Sequence, residues 1–294
     1  MKRLFFVMNP YAGMKKANKV LPQILSVFNR AGFEVVVHIT AQQGDAHKVV
    51  AQRAKEMDLV VCCGGDGTFN ETVAGLQESG VKLPMGYIPA GSTNDFATSL
   101  SLPSDPVAAA KAIVEGSPKA YDLGVINGRY FSYVASFGAF TRASYATPQN
   151  IKNALGHTAY LLGGIQELSQ LRPIPVKLAL DGETIEGEYL FGAISNTTSM
   201  GGVLTLDPKQ VDLSDGLFEV ILVRMPKDLT EITDCIQAVQ KGFYDCEMIR
   251  FRKAKEITVH APADMDWTVD GEKEPGKAVM EIKNLQKAYE LINL

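Results

Sequence analysis

The chain is short of cysteine, of net charge and of long apolar runs, and each shortage removes a class of protein. Only four cysteines occur among 294 residues, Cys62, Cys63, Cys235 and Cys246. The first two are adjacent inside an apolar run. The other two have no zinc-like partner spacing. Neither a disulfide framework nor a metal finger is written here, so reduced thiols and a cytoplasmic protein are expected. The net charge is −4, which argues against a polyanion binder and hence against a nucleic-acid partner. No segment reaches the roughly 20 apolar residues of a membrane span. The basic start and the apolar run at residues 4–8 are too brief for a signal segment and read as a first strand. Repeats and low-complexity tracts are also missing. What remains, at 46% hydrophobic and 21% charged residues, is a globular chain long enough for two domains. Its first 60 residues are locally basic, with Lys2, Arg3, Lys15, Lys16, Lys19, Arg30, Lys48, Arg53 and Lys55. That is either ordinary solvated helix charge or a face toward anionic groups.

One stretch organises the rest: Leu59-Val60-Val61-Cys62-Cys63-Gly64-Gly65-Asp66-Gly67-Thr68-Phe69-Asn70-Glu71. Five apolar residues read as a buried strand, two glycines stop it, and a helix is expected to open from Thr68. Such a junction gathers backbone N–H groups and the positive end of a helix dipole at one point. Glycines let that backbone approach a bulky anion, so a polyphosphate suits it. Asp66, expected to be exposed in a cleft, would repel bare phosphate. It makes sense if a divalent cation lies between them, or if it manages a proton. A tight turn whose glycines serve only the turn is the plain alternative.

Around this junction the chain alternates. Strands are expected at residues 4–8, 33–39, 59–63 and 85–88, with helices at 17–31, from an Asp45 cap to 55, and at 106–115. This rhythm predicts a parallel sheet covered on both faces. Ligands of such sheets gather at the carboxyl ends of the strands. There lie Asn9-Pro10-Tyr11-Ala12-Gly13, the loop from Thr40 to Gly44, the Gly64 loop, and a second strand–glycine loop–helix start at Pro89-Ala90-Gly91-Ser92-Thr93-Asn94-Asp95-Phe96-Ala97. Asn94 or Asp95 is there at least an N-cap candidate.

After residue 126 the grammar changes to short strands and hairpins, announced by Asn127-Gly128. Two helices, 158–171 and 229–241, interrupt them. Domains are therefore expected at 1–126, α/β, and 127–283, a mainly antiparallel β-sandwich, with residues 284–294 apolar enough to pack back on the first. Asp-Gly occurs three times in the second part. Asp181-Gly182-Glu183 and Asp270-Gly271-Glu272 both read first as hairpin turns. Asp212, with Asp215-Gly216 three residues on, is either an Asx turn or an oxygen cage for Mg²⁺.

The run Gly-Gly-Asp-Gly-Thr-Phe-Asn-Glu-Thr-Val-Ala-Gly at 64–75 resembles the lipid kinases with a diacylglycerol-kinase catalytic domain, whose core motif is shared with the NAD kinases and, more distantly, the phosphofructokinases. Asn70-Glu71 leans toward the lipid-kinase version. The run at 91–97 resembles the family's second nucleotide loop, with Thr93 in place of a glycine. The resemblance covers almost the whole chain and implies an NAD kinase/phosphofructokinase-like first domain. It implies ATP held by Asn9, Thr40, Gly64, Gly65, Asp66, Gly67, Thr68, Asn70 and Thr93, with Asp66 serving catalysis. It implies a structural Mg²⁺ at Asp212, Asp215 and the carbonyl of Leu217, besides the Mg²⁺ carried by ATP. It places the general base at Glu272, leaving Glu183 solvated. The activity implied is transfer of the γ-phosphate of ATP to a lipid hydroxyl, with diacylglycerol as acceptor. The setting implied is a homodimer, cytoplasmic and peripheral to an anionic membrane surface. An NAD kinase-like phosphotransferase and a catalytically silent nucleotide- or lipid-binding regulator are the alternatives.

Overall fold

Residues 4–8 and 59–63 are apolar throughout, the composition of strands buried on both faces. In the computed structural model they are central strands of a parallel sheet. The structure describes residues 1–13, 16–92, 94–138, 172–200, 204–225, 230–231, 234, 237–238, 244 and 246–294. The expected helix 158–171 lies outside the described residues, and so does most of 229–241. Two compact units are present. The first comprises Met1–Tyr133, Asn196–Gly216 and Asn284–Leu294; the second comprises Val134–Ser195 and Leu217–Lys283.

The first unit begins β1 (Lys2–Met8), α1 (Lys16–Arg30), β2 (Phe33–Ile39), α2 (Asp45–Arg53), β3 (Leu59–Gly64) and α3 (Asp66–Ser79). It continues with β4 (Pro84–Pro89), α4 (Asp95–Ser99), α5 (Pro106–Glu115), β5 (Ser117–Ile126) and β6 (Arg129–Phe131). Strands β2, β1, β3 and β4 lie side by side in parallel register. Alternate residues serve opposite faces. Leu4, Phe6, Met8, Leu59, Val61 and Cys63 pack with Ile24 and Phe28 of α1 and Ile113 of α5. On the other side α3 carries Phe69, which stacks on Phe96 at 4.8 Å between centroids and lies 4.7 Å from Tyr87. Burial pushes the Cys63 thiol up to about 12, so it is an inert core side chain.

The second unit is antiparallel. It holds β7 (Val134–Gly138), β8 (Ile174–Leu180), β9 (Glu183–Ser195), β12 (Phe218–Arg224), β13 (Ile249–Ala254), β14 (Glu256–His260), β15 (Trp267–Val269) and β16 (Glu272–Glu274). The short pair β10 (Ser199–Met200) and β11 (Leu204–Thr205) precedes β12 in the chain and belongs to the first unit. The order β16-β15-β7-β9-β8-β14 runs on to β17 (Val279–Asn293), while β12 joins β9 to β13. Three turns carry positive φ at two successive residues, Asn127-Gly128, Asp181-Gly182 and Asp270-Gly271. These are the hairpin dipeptides read in the sequence, and that conformation is why Asn or Asp precedes Gly.

Two departures matter for the site. The last strand runs 15 residues, far longer than the short strands expected after residue 126. Its first residues pair with β14, and then Glu290 and Leu291 pair in parallel with Pro84 and Met85 of β4. Residues 196–216 belong to the first unit, so the loop of Asp212 and Asp215 is not part of the antiparallel unit, whose second segment begins at Leu217. Among the described residues no helix is long and apolar enough to cross a membrane.

Candidate active site

The glycine junction is tighter than the sequence suggests. β3 runs to Gly64, Gly65 alone bridges, and α3 starts at Asp66, two residues before the expected Thr68. A Cβ on Gly64 would lie 2.6 Å from the Thr68 side chain, and one on Gly91 would lie 2.6 Å from Gly65 Cα. Gly13, at φ 50°, backs onto the carbonyls of Ala90 and Gly91. Three glycine loops, after β1, β3 and β4, thus meet backbone to backbone. Asn94 holds the third one closed. In left-handed conformation at φ 53°, it accepts from the Gly91 N–H (2.9 Å) and donates to the Gly91 carbonyl (3.0 Å). This ring, rather than a cap on α4, is what the asparagine does, and only a side-chain amide can mimic a peptide on both sides.

Asn9 joins the first loop to the second. Its Oδ1 accepts from the Tyr11 N–H (2.9 Å) and its Nδ2 donates to Thr68 Oγ1 (3.3 Å). Thr40 is buried at the end of β2, with both its N–H (2.9 Å) and its hydroxyl (3.3 Å) on the Met8 carbonyl. Asn70, expected to bind nucleotide, spends both ends of its amide on the protein: Nδ2 donates to the Tyr130 carbonyl (3.2 Å) and Oδ1 accepts from Ser132 Oγ (3.0 Å). Thr93 and Lys15 lie outside the described residues.

Asp66 is not the exposed carboxylate expected. Its Oδ2 accepts from the Asp95 N–H (3.1 Å), and its Oδ1 is buried without a hydrogen-bond partner. Burial, followed by the charge of Asp95, raises its carboxyl to about 6 against the pull of amide donors. A buried carboxylate oxygen with no donor is costly. Sited at the first turn of a helix where glycine loops converge, it suits a cation or a hydroxyl donor brought by a ligand.

The loop expected to hold a structural Mg²⁺ has protein partners of its own. Asp212 Oδ1 already accepts from the Ser214 N–H (3.0 Å) and hydroxyl (2.9 Å). Among the described residues no three of His, Cys, Asp and Glu are gathered as candidate metal ligands. The two carboxylates Asp212 and Asp215 with the Leu217 carbonyl are a different kind of donor set, and the loop that carries the two aspartates is also held by the protein itself. The holder is Asp122, a buried carboxylate that sequence reading passed over. It accepts from the Gly216 N–H (2.6 Å) and the Lys287 N–H (2.7 Å), and its own N–H donates to the Leu213 carbonyl (2.8 Å). Burial raises its carboxyl while the two amides hold it down. The available signal was one charge in the apolar run Tyr121-Asp122-Leu123-Gly124-Val125-Ile126.

Glu272 belongs to the second unit. It opens β16 directly after the Asp270-Gly271 turn, pairs with Val269 across the hairpin and is half-buried. Glu183 takes the same place after Asp181-Gly182. It is not free in solvent: its Oε1 meets Arg252 Nε at 3.2 Å.

Comparison with known proteins agrees with these features. Residues 3–126 match the diacylglycerol kinase catalytic domain model. Residues 133–288 match that of the YegS C-terminal NAD kinase beta sandwich-like domain. A diacylglycerol kinase of Bacillus subtilis (strain 168) is 35% identical over 274 residues, covering 92% of this chain and 90% of its own. One from Staphylococcus saprophyticus is 34% identical over 292 residues, covering 99% and 95%. A crystal structure of a diacylglycerol kinase from Bacillus anthracis superposes with a TM-score of 0.77 at 25% identity, covering 100% of this chain and 97% of that one. With two-domain architecture, glycine junction and full-length relatives in agreement, the chain belongs to the diacylglycerol kinase catalytic-domain family and is a kinase.

Proposed function

We propose that this kinase transfers the γ-phosphoryl group of ATP to the hydroxyl of diacylglycerol, giving phosphatidic acid and ADP. The observation that carries the reading is the buried, unpartnered Oδ1 of Asp66 where the three glycine loops meet. The first N–H groups of α3 face the phosphates, with Gly64, Gly65 and Gly67 keeping side chains out of their way. Asn9, Thr40 and Thr68 line the nucleotide side, the family resemblance adds Thr93 to that set, and Asn70 supports it from behind. Asp66 fits the Mg²⁺ that accompanies ATP, since that ion takes one or two carboxylates besides phosphate oxygens. When bound, the ion neutralises charge on the β- and γ-phosphates. Glu272 accepts the proton of the lipid hydroxyl as its oxygen bonds to the γ-phosphorus and the bridging oxygen leaves with ADP.

The acceptor is reached at an anionic membrane surface, as a homodimer working from the water side. The exposed Lys2 and Lys19 of the basic first segment support that approach. ATP consumption measured with diacylglycerol micelles, with NAD and with neither tests the reading. Turnover is expected with diacylglycerol alone and is expected to be lost in Asp66→Asn. Consumption with NAD would move the assignment to an NAD kinase-like phosphotransferase. Nucleotide binding without turnover on any acceptor would move it to a silent regulator.

A further inference from the structure

The long motif that begins at Gly64 divides into two halves with different work. Its first half meets the other glycine loops. Its second half faces α2. Glu71, Gly75 and Glu78 stand at i, i+4 and i+7 along α3, hence on one face. Glu78 Oε2 lies 2.6 Å from His47 Nε2 of α2. A Cβ on Gly75 would sit 2.5 Å from the His47 carbonyl and 2.9 Å from Val50 Cβ, so the two helices touch there through backbone. Glu71 reaches the start of α2. Its Oε1 accepts from the Gly44 N–H (2.7 Å) and its Oε2 from the Ala46 N–H (3.2 Å). Gly44 is the N-cap of α2, has φ 81° and supplies no side-chain cap. The helix therefore takes its cap from another helix, the one that starts at the glycine junction.

What this cap holds is the loop between Thr40 and α2. Residues 41–44 are exposed. They are pinned at one end by Asp45, whose Oδ2 accepts from the Ala41 N–H (2.9 Å) and lies 3.1 Å from His38 Nε2. At the other end they are pinned by Glu71. We infer that Glu71 is a positioning residue: it fixes the loop from Thr40 to Gly44 against the phosphate-facing helix and so sets nucleotide affinity, without touching the nucleotide. The inference rests on the ATP-site reading above. A carboxylate is required at position 71 because two amide donors need two acceptor oxygens. Glutamine offers one acceptor and turns a donor against the second amide.

The test compares wild type, Glu71→Gln and Asp45→Asn in ATP binding at equilibrium, in KM for ATP and in kcat. Hydrogen exchange is followed at Gly44 and Ala46. Glu71→Gln is expected to raise Kd and KM for ATP about tenfold, to leave kcat within about threefold, and to speed exchange at both amides. Asp45→Asn, which takes the charge from the Ala41 bond and so loosens the other end of the same loop, is expected to raise KM for ATP in the same sense. Should Glu71→Gln fail to fold, an unchanged KM in Asp45→Asn overturns the inference and a raised one upholds it. A lower melting temperature with unchanged ATP affinity in Glu71→Gln would also overturn it, leaving the residue a structural cap. If wild type itself binds no ATP, the reading of the site falls and this inference with it; the wild-type measurement separates that outcome from a failure at Glu71 alone.

Discussion

Two hairpins of the second unit share the sequence Asp-Gly-Glu and almost nothing of their surroundings. Both use left-handed backbone at both turn residues, φ 44° and 99° at Asp181-Gly182 and 47° and 80° at Asp270-Gly271. Both aspartates dock onto the first residue of another strand. Asp181 accepts from the Lys255 (2.7 Å) and Glu256 (2.9 Å) N–H groups at the start of β14. Asp270 accepts from the Val134 N–H (3.0 Å) at the start of β7 and returns its own N–H to the Val134 carbonyl (2.9 Å). The difference is depth. Asp181 is exposed, whereas Asp270 keeps 5% of its surface. Local sequence sets the turn; the strand that feeds it sets the depth. β8 alternates between buried and open positions as it enters the first turn, while all three residues of β15 are buried as it enters the second. A strand buried on both faces delivers its turn, and the glutamate behind it, into a less solvated place than a strand with one wet face.

The comparison is broken most severely at the glutamates. Glu272→Gln is expected to lower turnover by about 10²-fold or more while ATP affinity measured separately stays near wild type. An active Glu272→Gln would make the two turns functionally equal and remove the base. Next come the aspartates. Asp270→Ala takes a charged acceptor from a buried amide and puts alanine in left-handed backbone, a cost of about 3 kcal/mol in urea unfolding. Asp181→Ala makes the same two changes in water, where solvent takes over the freed N–H groups, and should cost about 1–2 kcal/mol. Equal losses would show that depth does not separate the turns. The smallest effect is expected at Glu183→Gln. Its partner Arg252 is half-exposed, so stability should move by no more than about 0.5 kcal/mol and turnover not at all.

The same contrast tells how much of the molecule could be read without coordinates. Elements whose pattern is local were legible. β2 and α5 occupy the expected residues, because periodicity and Pro at a helix start act within a few residues. The glycine junction was legible as a strand–loop–helix turn but not in its inner geometry. Nothing near Asp66 tells that Asp95, 29 residues on, donates to it and that its other oxygen is shut from water. The Asp45 cap was misread for a similar reason. Gly44 is the N-cap, and the carboxylate that serves it is Glu71, 27 residues away on another helix. The loop of Asp212 was read from acidic spacing and the family resemblance, without its anchor. Asp122, 94 residues before Gly216, already grips that loop. Each miss is a long-range hydrogen bond made by a carboxylate whose partners have no sequence mark.

The final strand has a consequence for how the protein is made. β4 emerges from the ribosome with one neighbour, β3, and its other edge waits for Glu290 and Leu291. Those residues come roughly 200 positions later, which at about 5–20 residues per second is a delay of about 10–40 s. Through that interval the nascent parallel sheet carries an open, largely apolar edge, the kind of surface that recruits stray strands. The parallel-sheet half of this kinase is thus the first to start folding and among the last to finish.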